Sequence, residues 1–184
     1  MSETLRWGIL GTGMIAGKFA ADLKATTQGE LAATGSRNQS SADGFAAEHG
    51  GKGVAGYDAL VNDPEVDAVY NSLPNGLHAE WSIKAMEAGK HVLCEKPMAR
   101  NAAECRRMIE ICRDAGVKLG VAYRRRLFPQ VLKAKELVAE GRIGRVVCVR
   151  THYSGWTSVG PDEWRVDPGI GGAMMEMAVH RLEV

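Results

Sequence analysis

Short apolar runs alternate with helical patterns over the first two thirds of this chain, and that alternation limits its folds more than any other feature. Leu5–Gly11 ("LRWGILG") reads as a buried strand that leads into a helix through about Leu23. Glu30–Ser36 is a second strand, "SSADGFAAEHG" carries a short helix, and a brief strand lies near Val54. Val66–Pro74 is a strand ending in a Pro-Asn-Gly turn, and "LHAEWSIKAMEAG" is a helix stopped by Gly89. "HVLCE" is a strand. Asn101 caps the next helix, with Glu104 in capping-box position. Cys105, Met108, Ile109 and Cys112 supply that helix's buried stripe, Gly116 ends it, and Val117–Tyr123 is the last strand of the series. Strands that alternate strictly with helices imply a parallel sheet covered on both faces, and right-handed crossovers make it a doubly wound α/β fold.

Near Tyr123 the pattern changes. One amphipathic helix begins at Pro129 and closes at Gly141. "RVVCVRTHYSG" follows as a longer strand, with Val147, Val149, Thr151 and Tyr153 on one face. A loop rich in Gly, Pro and Trp then leads to a terminal helix. Residues 1–122 are thus expected to form a Rossmann-type domain, and residues 123–184 the incomplete start of a second α/β domain. The length of 184 residues suits one domain plus part of another.

Charge and cysteine content narrow the function classes. The formal net charge of +1 offers no electrostatic case for nucleic acid or an anionic membrane. The four cysteines form no C-x-x-C pair, and no histidines stand at zinc spacing, so no metal site is expected. A reducing cytoplasm is the expected setting. "MSETLRWGILGTG" enters a strand almost at once without a signal-peptide core, and no apolar run approaches a membrane span.

The chemistry-bearing motifs sit where strands end. "GILGTGMIAG" sets Gly11, Gly13 and Ala16 in a G-x-G-x-x-A pattern between a strand and a helix. Gly11 permits the tight turn, Gly13 admits a pyrophosphate to the helix N-terminus, and Ala16 keeps the helix near the sheet. Thr12, Met14 and Ile15 belong to the same cofactor-binding loop. The second strand ends "GSRN" without the carboxylate that binds a ribose 2′-hydroxyl in NAD enzymes. Ser36 and Arg37 suit a 2′-phosphate instead, which favours NADP and leaves NAD open; a solvated arginine beside a turn is the plain alternative. "LPNGLH" (Leu73–His78) and "CEKPMA" (Cys94–Ala99) end the next two strands in the crevice where open sheets bind ligands. Read in isolation, Glu95 and Lys96 are a surface ion pair; held in the cleft, Lys96 stabilises negative charge on a substrate oxygen.

Taken together, "GTGMIA", "GSR", "LPNGLHAEWSIKAMEAGKHVLCEKPMA", "GVAYRRRLFP" and "GGAMMEMAVH" resemble the glucose–fructose oxidoreductase / inositol dehydrogenase (Gfo/Idh/MocA) family in order and spacing. The "GKHVLCEKP" segment is the specific part. The resemblance implies a Rossmann domain and a C-terminal domain with a large open sheet. It implies NAD(P)-dependent oxidation or reduction of sugars, polyols or related carbonyl compounds. Lys96 matches the family's catalytic, cofactor-contacting lysine, and His180 its general acid/base. Glu176 takes the place of an aspartate four residues before that histidine, and Ala178 that of a glycine. Glu95 and Pro97 match that lysine's neighbours, Pro74, Asn75 and His78 match the nucleotide crevice, and Arg126 an arginine at the domain junction; Leu73 and Glu95 are counted with them as cofactor-binding. The resemblance also implies a chain that continues well past the position of Val184 and an added sheet through which members commonly associate, which leaves self-association open. The rival expectation is a nucleotide-binding protein without turnover, favoured by the Glu176 and Ala178 changes.

Overall fold

The computed structural model describes residues 4–150 and residues 152, 160, 166 and 167. The chain divides into two compact units, Met1–Val121 and Ala122–Val184.

The first unit is built on six parallel strands: β1 (Leu5–Leu10), β2 (Gly29–Ser36), β3 (Lys52–Ala55), β4 (Ala68–Asn71), β5 (His91–Cys94) and β6 (Leu119–Val121). Their order, β3-β2-β1-β4-β5-β6, is that of the doubly wound dinucleotide-binding sheet. The crossover helices are α1 (Met14–Lys24), α2 (Gln39–His49), α3 (Tyr57–Val61), α4 (His78–Glu87) and α5 (Ala102–Asp114). α1 packs beside α2, and α4 packs between α3 and α5, so two helix layers cover the sheet. The central strands carry apolar residues on both faces because both are covered; Ile9, Leu10, Ala68 and Val69 are all fully buried. Leu60, Trp81, Ala85, Met86 and Met108 close the core over one face.

Glycine inside the strands sets how closely one helix can approach. A Cβ on Gly8 would lie 2.9 Å from both Leu60 Cδ2 and Val66 Cγ1, so α3 sits on β1 only because that position has no side chain. The expected elements are all found in this unit, with three corrections. First, α3 is additional to the expected helices: with Leu60 and Val61 as its buried residues, it is too short to show a helical period. Second, β4 stops at Asn71, where its register with Cys94 ends, and a 3₁₀ turn (Asn75–Leu77) precedes α4. Third, Ile109 is 47% exposed, and the buried side of α5 runs through Cys105, Met108, Ile111 and Cys112. Asn101 does cap α5, accepting from the Glu104 N–H at 3.0 Å. The Glu104 carboxylate reaches back to the Arg100 N–H at 3.0 Å and the Arg100 guanidinium at 2.6 Å, so the capping box closes on the preceding residue.

In the second unit a 3₁₀ turn (Arg124–Leu127) leads into α6 (Pro129–Ala139), with proline in the first turn, where its missing N–H costs nothing. The expected strand at Arg145 is not formed over residues 145–150. A strand exists through its ladder partners, and Val147 and Val149 are 82% and 76% exposed with none among the described residues. Thr151 and Tyr153 lie outside the described residues. None of the described helices is long and apolar enough to cross a membrane.

Candidate functional site

β1 and β4 are neighbours, yet the chain leaves β1 toward β2 and leaves β4 toward β5, in opposite directions across the sheet. Their following loops therefore part, and the gap at the carboxyl ends is where such sheets take ligands. The loop after β1 turns at Gly11, whose φ of +95° favours glycine. A Cβ there would meet Leu73 Cδ2 at 3.3 Å and Ser72 Oγ at 3.4 Å. Ser72 fastens the two loops by donating from Oγ to the Leu10 carbonyl at 2.7 Å. Gly13 is the N-cap of α1, with no side-chain cap, and the first turn carries no acidic residue. A Cβ on Gly13 would meet nothing within 4 Å. The helix thus presents unpaired N–H groups and its positive end to open space, while Ala16 is fully buried beneath. A pyrophosphate fits that donor set.

β2 delivers Ser36, which is buried, and Arg37, which is exposed, to the same end of the sheet. Burial raises the Tyr57 hydroxyl pKa at the start of α3, while the Arg37 charge opposes that rise, so the guanidinium lies within electrostatic reach of this edge. The strand end offers a hydroxyl and a cation and no carboxylate, a set that matches a ribose 2′-phosphate.

The loops after β4 and β5 supply the remaining groups. Tyr70 is 2% exposed, stacks on Phe19 at 4.0 Å, and donates from its hydroxyl to Glu95 Oε1 at 2.7 Å. The Lys96 N–H donates to Glu95 Oε2 at 3.1 Å, so the carboxylate is held from two sides beside the Lys96–Pro97 cis peptide. Asn71, fully buried, donates from Nδ2 to the His78 carbonyl at 3.1 Å and to Ser82 Oγ at 3.0 Å. Burial pushes the Cys94 thiol up to about 12, which rules it out as a thiolate nucleophile at neutral pH. His78 is 1% exposed, with Nδ1 lying 2.6 Å from the Pro97 carbonyl and Nε2 lying 2.7 Å from the Leu73 carbonyl. Burial, the largest influence, holds the imidazole below its ordinary range against the pull of both carbonyls and of Glu95. Asn75 is 3% exposed, and its Nδ2 has no hydrogen-bond partner among the described residues.

Gly11, Thr12, Gly13, Met14, Ile15, Ser36, Arg37, Leu73, Pro74, Asn75, His78, Glu95 and Lys96 all lie at or after the ends of four neighbouring strands in the first unit. Arg126 belongs to the second unit, where its guanidinium lies 5.5 Å from the centre of the Tyr123 ring. Glu176 and His180 lie outside the described residues. Sequence reasoning passed over Tyr70, Asn71 and Ser72, and the signal was present: three polar-capable side chains in succession at the end of a buried apolar run.

Comparison with known proteins agrees with this fold. Residues 5–123 match the Gfo/Idh/MocA oxidoreductase family with its NAD-binding Rossmann fold, and residues 131–184 match a Gfo/Idh/MocA C-terminal domain. The chain belongs to the Gfo/Idh/MocA oxidoreductase family. It is 40% identical over 178 residues to an NADP⁺-dependent D-xylose 1-dehydrogenase of Haloferax volcanii, covering 96% of this chain and 54% of that protein. It is 36% identical over 178 residues to a 1,5-anhydro-D-fructose reductase of Ensifer adhaerens, covering 95% and 54%. Among solved structures, a 3-ketoreductase of Actinomadura kijaniata in complex with NADP superposes with a TM-score of 0.74. That structure is 36% identical and covers 77% of this chain and 46% of the other. An NAD-binding protein from Listeria innocua gives a TM-score of 0.87 at 27% identity, covering 98% and 53%. The chain spans about half the length of the curated relatives it matches.

Proposed function

We propose that this chain carries the cofactor site and the first catalytic residues of an NADP-dependent oxidoreductase acting on a sugar, polyol or related carbonyl compound. Residues 1–122 form its cofactor domain and residues 123–184 open its substrate domain. One observation carries the reading. An uncapped helix N-terminus behind Gly13, a carboxylate-free strand end at Ser36 and Arg37, and the Glu95–Lys96–Pro97 loop stand at the carboxyl ends of β1, β2 and β5, strands that flank the switch point of one sheet. The names of the relatives, two of which are linked to NADP, point the same way.

Thr12, Gly13, Met14 and Ile15 would hold the pyrophosphate, and Ser36 and Arg37 the 2′-phosphate. Leu73, Pro74 and Asn75 would line the nicotinamide side, and Arg126 would be a further cofactor contact, on its match to the family's arginine. When bound, the nicotinamide accepts or supplies the hydride. Lys96 holds the substrate oxygen and steadies the charge that develops on it. His180 takes the hydroxyl proton during oxidation and returns one to the carbonyl oxygen during reduction. Glu176 orients the substrate or His180. Glu95, anchored by Tyr70 and the Lys96 N–H, fixes the loop that presents the lysine. Four free cysteines suit a reducing cytoplasm.

The test is a turnover screen with NADPH and NADP⁺ over sugars, polyols and dicarbonyls, run on wild type and Lys96→Ala. The reading predicts that the variant keeps NADPH binding and loses about 100-fold or more in kcat. Turnover unchanged by the substitution contradicts it, and nucleotide binding without turnover in wild type favours the non-catalytic alternative.

A further inference from the structure

His78 is expected, on resemblance, to line the nucleotide crevice, and its surroundings give it a different task. The ring is 1% exposed and both nitrogens face main-chain carbonyls at hydrogen-bonding distance. A ring so enclosed has no polar edge left to offer a ligand. Its two partners belong to different loops. Leu73 is five residues upstream in the loop after β4, whereas Pro97 is nineteen residues downstream in the loop after β5, next to Lys96. The residue also starts α4, and Asn71 holds its carbonyl from the strand end, so the ring stands on a rigid base. Carbonyl oxygens only accept, so a proton on Nδ1 makes the Pro97 contact a bond between loops.

We propose that His78 is a positioning residue: its Nδ1–H bond to the Pro97 carbonyl holds the loop after β5, and with it Lys96, in register with the loop after β4. This rests on the reading that Lys96 acts on substrate, and the Lys96→Ala turnover screen tests that reading by itself. A pair of substitutions separates positioning from mere packing. Asn places its amide nitrogen near the position of Nδ1 and keeps the bond to Pro97; Gln places its amide near Nε2, where it can donate only to the Leu73 carbonyl and loses the bond to Pro97. The probe is Lys96 itself, observed in the full chain by NMR of ¹³C-methylated lysines, with Lys52 at the far edge of the sheet as control.

His78→Gln is expected to move and broaden the Lys96 resonance, and to lower kcat about tenfold with KM nearly unchanged. His78→Asn is expected to leave the Lys96 resonance near its wild-type position and kcat within about threefold of wild type; a bond shared by one network couples its members in this way. Equal shifts in both variants, or none in either, overturn the proposal. Should the Gln variant fail to fold, ¹⁵N-histidine NMR of wild type decides: a proton on Nδ1 coupled to the Pro97 carbonyl supports the clamp, and a proton on Nε2 alone overturns it.

Discussion

Gly13→Ala separates the cofactor site from the fold that carries it. Gly13 has φ −79° and ψ 176°, a conformation any residue adopts, and an added Cβ meets nothing within 4 Å. As an N-cap, alanine is worse than glycine by about 0.5–1 kcal/mol. Fewer unfolded conformations return about 0.4–1 kcal/mol. The two nearly cancel, so Tm should stay within about 3 °C, given roughly 2–4 °C per kcal/mol for a chain of this size. Binding is another matter. The new methyl group stands over the first-turn N–H groups, where the pyrophosphate must approach. Losing one or two hydrogen bonds to a charged phosphate costs about 1.5–3 kcal/mol each. At 1.4 kcal/mol per tenfold, NADPH affinity falls by about 10- to 100-fold or more. The assay is NADPH fluorescence titration beside differential scanning calorimetry. Gly8→Ala is the opposite control, because its Cβ would lie 2.9 Å from Leu60 and Val66 and should lower Tm. Unaltered NADPH affinity in folded Gly13→Ala refutes the placement of the pyrophosphate.

Two further outcomes are expected. Arg37→Ala should weaken NADPH by about tenfold or more and leave NADH almost unchanged, as measured by paired titrations; an equal loss for both would remove the 2′-phosphate role. Asp67 bonds the Arg6 side chain at 2.6 and 2.9 Å and its N–H at 2.9 Å, and these bonds hold its carboxyl below the usual range. A lowered folded pKa gives stability that is present above the unfolded value of about 4 and lost as pH falls through the folded one. Asp67→Asn should therefore be less stable at pH 7 and show a flatter decline below about pH 4 in urea melts; an unchanged acid limb contradicts this.

The sheet was legible because each strand's apolar run is bounded by its own turn signal, and the glycine loop because strand, turn and helix lie within about a dozen residues of sequence. What escaped depends on tertiary contact. α3 shows no period of its own and exists because Gly8 and Gly35 leave room for Leu60. Val66–Pro74 looked like a longer strand since Leu73 continues the apolar pattern, while the pairing that defines a strand stops at Asn71. The same holds at Val147 and Val149, where a β-rich run lacks a partner among the described residues. His78 was visible as a residue type, but its partners are two carbonyls that the fold brings to it, and no side-chain pattern encodes a carbonyl.

The most direct test of the central claim is titration of the wild-type chain with NADPH and with NADH, followed by nicotinamide fluorescence. Saturable one-to-one binding, with NADPH at least about tenfold tighter, is the predicted result. The absence of saturable binding to either nucleotide, in a chain shown to be folded, contradicts the account.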